Sequence, residues 1–243
     1  MSLTSKAIVI SRESFGEADK YVQFLTQQWG VISVLAKSAR KSKRRYVGGL
    51  DLFCHDEIFV RGDPHKKPYL LELTVLNSFT GLRDRYEKLI AAGKAVQWIK
   101  KLANLSTPLP NIYSLLGQTL ALMEKENEET RLDLINLIFR MKLLSQLGFK
   151  PRVQSCTRCE KALEPFTFFD MQAGGSLCLA CSQGRSLTEA LELNEEERTF
   201  LHDAEHFKFS QWPLLQFSPN KTNKLTHLVT QFASYHTHVK LLV

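Results

Sequence analysis

The chain has 243 residues, of which 44% are hydrophobic and 23% charged; this is ordinary for one or two folded domains and excludes a chain too polar to bury a core. No uncharged apolar run approaches membrane-spanning length, and Met1-Ser-Leu-Thr-Ser-Lys6 carries no apolar signal region, so neither a span nor export is expected and the cytoplasm is. The net charge of +7 directs attention to polyanionic partners.

The first 80 residues read as β structure. Residues 6–12, 20–26, 31–37, 51–61 and 69–79 are rich in β-branched and aromatic side chains. Turn residues separate them at Phe15-Gly-Glu-Ala-Asp19, Trp29-Gly30 and Arg61-Gly-Asp-Pro64. Five short strands in this length predict a small closed barrel, and periodicity alone leaves an OB-fold and an SH3-like barrel both open. From Thr80-Gly81 onward the period becomes helical. Tyr86, Leu89, Ile90, Gly93, Val96 and Ile99 make one stripe, which a break at Ser106-Thr-Pro-Leu-Pro110 ends. A helix over residues 112–125 follows. The next one, opened by Thr130 with Asp133 and stopped at Gly148, is apolar nearly all round and is expected at the centre of a second domain. Asn194 with Glu197 caps a short helix, and Ser218-Pro219 opens the last, whose stripe is Leu225, Leu228, Val229, Phe232 and Tyr235. The predicted class is α+β multidomain, with a β-barrel domain over 1–80 and a helical domain over 81–243.

Two motifs carry chemistry. Cys156-Thr-Arg-Cys159 and Cys178-Leu-Ala-Cys181 are paired knuckles with the spacing of a structural zinc site. Four thiolates suit a tetrahedral divalent ion and leave no open position for catalysis. The second motif is the run Lys37-Ser-Ala-Arg-Lys-Ser-Lys-Arg-Arg-Tyr46, in which Lys37, Arg40, Lys41, Lys43, Arg44 and Arg45 are cations with no acid among them. On a barrel, such a run suits a phosphate backbone, with Tyr46, Tyr21 and Phe15 as stacking candidates. The fifth cysteine, Cys54, is expected to be a small buried apolar residue. From His206 to the C-terminus there is no Asp or Glu, while Lys208, Lys221, Lys224 and Lys240 are present beside Trp212 and Phe217, aromatics that are expected to be exposed. Lys221 and Lys224 are therefore candidates for holding an acidic partner. No nucleotide-binding, metalloprotease or serine-hydrolase motif occurs, so no small-molecule substrate is expected. The residues leave open a DNA-binding protein, a zinc enzyme acting on nucleic acid, and an RNA-binding factor with a barrel and zinc ribbon.

The chain resembles the bacterial RecO family of recombination mediators. The likeness runs through Ala7-Ile-Val-Ile-Ser-Arg12, Phe15-Gly-Glu-Ala-Asp19, Phe24-Leu-Thr26, Trp29-Gly30 and Ala36-Lys-Ser-Ala-Arg40, then Phe139-Arg-Met-Lys-Leu-Leu-Ser-Gln-Leu-Gly-Phe-Lys-Pro151 leading into the cysteines. The resemblance implies an N-terminal OB-fold and a helical domain with an embedded four-cysteine zinc finger at about residues 151–185. It implies a non-enzymatic protein that binds single- and double-stranded DNA and anneals complementary strands. It also implies that the protein works with RecR and with the acidic tail of single-stranded DNA-binding protein (SSB), so that RecA loads at gaps. The family's DNA-binding region falls on Lys37, Arg40, Lys41, Lys43, Arg44 and Arg45.

Overall fold

Alternating inward and outward residues at the N-terminus build five strands: β1 (Ser2–Phe15), β2 (Asp19–Thr26), β3 (Gly30–Ala36), β4 (His55–Arg61) and β5 (Tyr69–Asn77). A computed structural model describes residues 2–42, 44–103, 109–183 and 191–241. Ser106, Thr107 and Pro108 of the expected helix break therefore lie outside the described residues. The strands close into a barrel in the order β1-β2-β3-β5-β4; β1 pairs antiparallel with β4, and β3 meets β5 in parallel at Leu35 and Tyr69. Period-2 alternation puts Val22, Phe24, Ile32, Val34, Ile58 and Val60 in the core. The Ala7-Ile-Val-Ile10 run departs from alternation, all four residues being buried. A register shift between Val9 and Ser11 bends β1 at this point, and Ile8 lies against Gly117 of a covering helix.

The chain between β3 and β4 closes one end of the barrel. Tyr46, Leu50 and Phe53 are buried there, the Tyr46 hydroxyl donates to the Leu70 carbonyl at 2.9 Å, and the Val9 and Phe53–Cys54 backbones exchange hydrogen bonds. Cys54 is fully buried, as expected. Gly49 fits because it has no side chain: a Cβ would stand 2.2 Å from Leu73 Cδ1 and 2.9 Å from Asp56 Oδ1. Asp56 itself points inward from β4 with 0% exposure, and neither carboxylate oxygen has a hydrogen-bond partner. Burial pushes its carboxyl up to about 8.

The compact unit containing the barrel runs from Met1 to Asn127 and includes two helices that pack with it. These are α1 (Tyr86–Leu102) and α2 (Pro110–Lys125), and α2 lies on β1 and β2. The buried face of α1 is rotated from the expected stripe: Ala91, Ala92, Ala95, Val96, Trp98 and Ile99 are buried, whereas Tyr86 and Ile90 are exposed. Small alanines allow close approach, so the contact face is set by side-chain size more than by hydropathy.

The second compact unit runs from Glu128 to Val243. It holds α3 (Glu129–Gln146), β6 (Phe166–Asp170), β7 (Gly175–Leu177), α4 (Leu179–Ser182), β8 (Leu191–Asn194), α5 (Glu195–Asp203) and α6 (Pro219–Thr237). The chain is thus a mixed α+β protein, with strands first and helices after. Eleven residues of α3 are buried, as its all-round apolar pattern predicts. It starts at Glu129, so Thr130 lies inside the first turn and does not cap it; Gly148, at φ 85°, ends it. Against α6 the buried Arg140 donates to Thr230 Oγ1 at 2.9 Å, and burial lowers its pKa to about 10. Asn194 and Glu197 form the expected reciprocal capping box, and Ser218 caps α6. On α6 the expected stripe holds at Leu225, Leu228, Val229 and Phe232, but Tyr235 is 49% exposed.

Asp56 should give the barrel a measurable pH dependence. Between its ordinary value of 3.8 and about 8 the folded state keeps a proton that the unfolded chain has lost, so stability falls as pH rises through that window. His55, held low by burial and then by Lys6, acts in the opposite sense near and below its ordinary value of 6.5. The comparison is therefore made between neutral pH and the alkaline end. The urea midpoint should drop over that range in the wild type and hold nearly level in Asp56→Asn; parallel slopes would contradict the assignment.

Candidate metal centre and nucleic-acid interface

The four cysteines converge. The sulfurs of Cys156, Cys159, Cys178 and Cys181 all lie within 4.8 Å of one another, and Cys159 Sγ to Cys178 Sγ is 3.7 Å. A tetrahedral ion with metal–sulfur bonds near 2.3 Å requires sulfur–sulfur edges of about 3.8 Å, so the four thiols can hold a metal ion with little movement. Local backbone makes both knuckles. The Glu160 amide donates to the Cys156 carbonyl at 2.9 Å, and the Cys181 and Ser182 amides both donate to the Cys178 carbonyl at 3.0 Å. The first turn tolerates Glu160 at φ 60°. The knuckles are joined through β6, which lies between β7 and β8 in a three-stranded sheet that the sequence pattern does not reveal. Gly175 is where this module closes, since a Cβ there would stand 2.0 Å from the Arg152 carbonyl oxygen.

The electrostatics of the cluster fit a cation. Burial works against ionising Cys156, but the backbone N–H groups of Cys178, Cys159 and Arg158 directed at its sulfur bring its pKa down to about 6. Hydrogen bonding with the Cys178 thiol, then burial, drives Cys181 up to about 12. Four sulfurs this close cannot all carry charge unless a metal ion takes it up. The local apolar cluster is small, with Cys156, Leu177 and Cys178 at its centre, too little to hold the module by burial alone.

The basic segment is shaped by its backbone. Ser38 adopts φ 55°, and the Ser38 amide donates to Asp19 Oδ1 at 2.7 Å. The Arg40 amide donates to the Ala18 carbonyl at 2.9 Å, and the Lys41 and Ser42 amides both donate to the Ser38 carbonyl. Arg45 completes the fold-back through its amide to Ser42 Oγ and its Nη2 to the Lys37 carbonyl at 3.0 Å. Lys37, Arg40, Lys41, Arg44 and Arg45 are all exposed, and among the described residues no carboxylate pairs with any of them. Lys43 lies outside the described residues.

The aromatic candidates separate. Tyr46 is a barrel plug, only 5% exposed. Phe15 is 48% exposed and packs on Tyr21 with ring centroids 4.7 Å apart. Tyr69, which sequence reasoning passed over, is 46% exposed with Lys37 Nζ 4.7 Å from its ring centre. Its signal was alternation, since Leu70 beside it is buried.

The C-terminal cations are differently placed. Lys224 Nζ lies 2.7 and 2.9 Å from the Glu197 carboxylate oxygens, and Lys221 pairs with Glu196. A stretch without acids in sequence therefore meets the acids of α5 in space. Trp212 is buried, contrary to expectation, with its Nε1 donating to the Phe207 carbonyl at 3.2 Å, and Phe217 stacks on Phe200 at 4.3 Å.

A strand barrel displaying a basic loop, followed by a helical unit whose four clustered thiols could hold a metal ion, defines a class of two-unit proteins. Comparisons with known proteins narrow that class. The model for the recombination protein O N-terminal region matches residues 1–79, and that for its C-terminal region matches residues 83–242. The DNA repair protein RecO of Acetivibrio thermocellus is 28% identical over 210 residues, covering 86% of this chain and 81% of the relative. That of Lawsonia intracellularis is 24% identical over 97% of this chain and 95% of the relative. That of Myxococcus xanthus is 30% identical over 72% of this chain and 70% of the relative. The chain belongs to the RecO family of DNA repair proteins. Among the described residues no helix is long and apolar enough to cross a membrane.

Metal binding and folding of the second unit should be coupled. Elemental analysis of purified protein is expected to find one metal ion per chain. Cys178→Ser should lose it and lower the thermal midpoint by several degrees or more. A metal-free wild type with an unchanged melting curve would contradict the coupling.

Proposed function

We propose that the chain is a cytoplasmic, non-enzymatic DNA-binding mediator of recombinational repair, whose barrel is an OB-fold and whose four cysteines hold a structural zinc ion. The strand order β1-β2-β3-β5-β4, closed on itself, supports the OB reading. A complete thiolate set with no open position supports a structural over a catalytic ion, and zinc is the divalent metal that four thiolates favour. Family membership supports binding of single- and double-stranded DNA, annealing of complementary strands, and cooperation with RecR and SSB so that RecA loads at gaps. On this reading the SSB acidic tail engages the second unit. If it does so at Lys221 and Lys224, it must compete with Glu196 and Glu197, which already hold them.

The observation that carries the reading is the basic loop. Backbone hydrogen bonds shape a loop in which five cations are exposed and, among the described residues, none pairs with a carboxylate. A solvated loop gains nothing from such an arrangement, whereas a phosphate backbone is neutralised by it. Such contacts carry no base information, so one loop serves single strands and duplex alike.

The test reverses Arg40, Lys41 and Arg44 to Glu, sparing Arg45 because it ties the loop together. Were all six cations of residues 37–45 to touch phosphates, the slope of log affinity against log salt on single strands would be about −4. Losing three contacts should bring it near −2 and weaken single-strand and duplex binding together, by roughly tenfold or more at low salt. An unchanged affinity and slope, measured by fluorescence anisotropy, would return the run to an ordinary solvated loop.

A further inference from the structure

The barrel carries an apolar row that the basic loop does not account for. Strand register places Glu13, Tyr21, Leu35, Tyr69 and Arg61 side by side across β1, β2, β3, β5 and β4, and directly paired residues share a face. Their neighbours Val22, Val34, Leu70 and Val60 are buried, so the row faces outward. Phe15, at the end of β1, packs on Tyr21 and extends the row onto the β1–β2 turn. The next outward pair along β2 and β3, Gln23 and Ser33, is polar, so the row does not continue along these two strands.

Scattered exposed apolar residues are common and need no explanation. Here the partly buried Tyr21 and the half-exposed Tyr69 stand on strands two places apart in the sheet, roughly 10 Å from one another by strand spacing, with Leu35 between them. Cations border them. Lys37 lies over Tyr69, Arg61, Lys66 and Lys67 are exposed at the β4–β5 connection, and the Arg40 amide ties the basic loop to the β1–β2 turn at Ala18. Of the nearby acids, Asp19 accepts from the Ser38 amide and Asp63 pairs with Lys66 at 3.6 Å; Glu13 marks one end of the row and Glu17 is exposed in the β1–β2 turn. Rings lying between cations suit a chain of bases on a phosphate backbone better than an apolar protein partner.

From this geometry we propose that Phe15–Tyr21 and Tyr69 are a base-stacking platform for single-stranded DNA, and that it makes the barrel prefer single strands over duplex. The inference rests on the reading of the barrel as the DNA-binding unit and adds a division of labour to it. The loop cations hold phosphates of either form. The rings take only unpaired bases, because a duplex keeps its bases stacked on one another. Lys37 does not block this, since an exposed ammonium on an exposed ring holds more weakly than a stacked base and its long stem lets it move to a phosphate.

The test uses the full chain and fluorescein-labelled oligo-dT with a duplex of equal length. Phe15→Ala combined with Tyr69→Ala should weaken single-strand binding by about tenfold or more, leave duplex binding within about twofold, and leave the salt slope unchanged because phosphate contacts persist. Phe15→Leu with Tyr69→Leu keeps apolar surface and should fail to restore single-strand affinity, while a 2-aminopurine probe in the strand should lose the quenching seen with wild type. Equal losses on both DNAs, full rescue by leucine, or no loss at all would each overturn the platform. A wild-type protein that binds neither DNA would instead overturn the underlying reading, and the platform with it.

Discussion

A five-stranded barrel has an end to close, and here the chain between β3 and β4 closes it with Tyr46, Leu50 and Phe53. That constraint decides where the charge goes. Once Tyr46 is committed inward through its hydrogen bond to Leu70, the residues before it return from β3 across the outside of the barrel, which leaves their cations exposed. The exposure of this charge is thus a consequence of packing. The cost is local: the closed end encloses Asp56 without a partner, and Gly49 must pass against it with no side chain.

The second unit meets a different constraint. Its helices bury a continuous core around α3, but the cysteine module has little apolar surface of its own. A metal ion held by the four thiols would supply there what burial does not, and short-range turns bring the cysteines of each knuckle together. The Gly175 approach to Arg152 and the pairing of Arg152 with Gly175 then lock the turn to the small sheet.

The legible parts of this fold are those in which local chemistry dictates geometry. Strand alternation reads out the barrel, cysteine spacing reads out the thiol cluster, and the Asn194–Glu197 box reads out a helix start. What stays hidden depends on partners remote in sequence. The face that α1 buries is chosen by its alanines and Trp98, so Tyr86 and Ile90 of the expected stripe are exposed. The acid-free C-terminal stretch finds its acids on α5, and Trp212, at the start of a 3-10 turn, is buried with Phe209 stacked on it and the Phe207 carbonyl accepting from its Nε1. Tyr69 was missed because a tyrosine at the start of a strand looks like any β-former, and only the barrel's register aligns it with Tyr21. Tyr46 and Phe15, equivalent in the sequence, part company for the same reason.

The central claim is that the loop cations are held in a fixed array by the barrel plug, and hydrogen–deuterium exchange of the free protein with Tyr46→Phe as control tests it most directly. The amides of Ser38, Arg40, Lys41 and Ser42, each donating to a fixed acceptor, should exchange well below the rate of an unstructured chain. Tyr46→Phe, which removes the hydroxyl bonded to Leu70, should speed their exchange and weaken DNA binding although every charge remains. Unprotected amides in the wild type, with DNA affinity indifferent to the substitution, would mean that the charges act as a loose polyelectrolyte and that the plug has no part in binding.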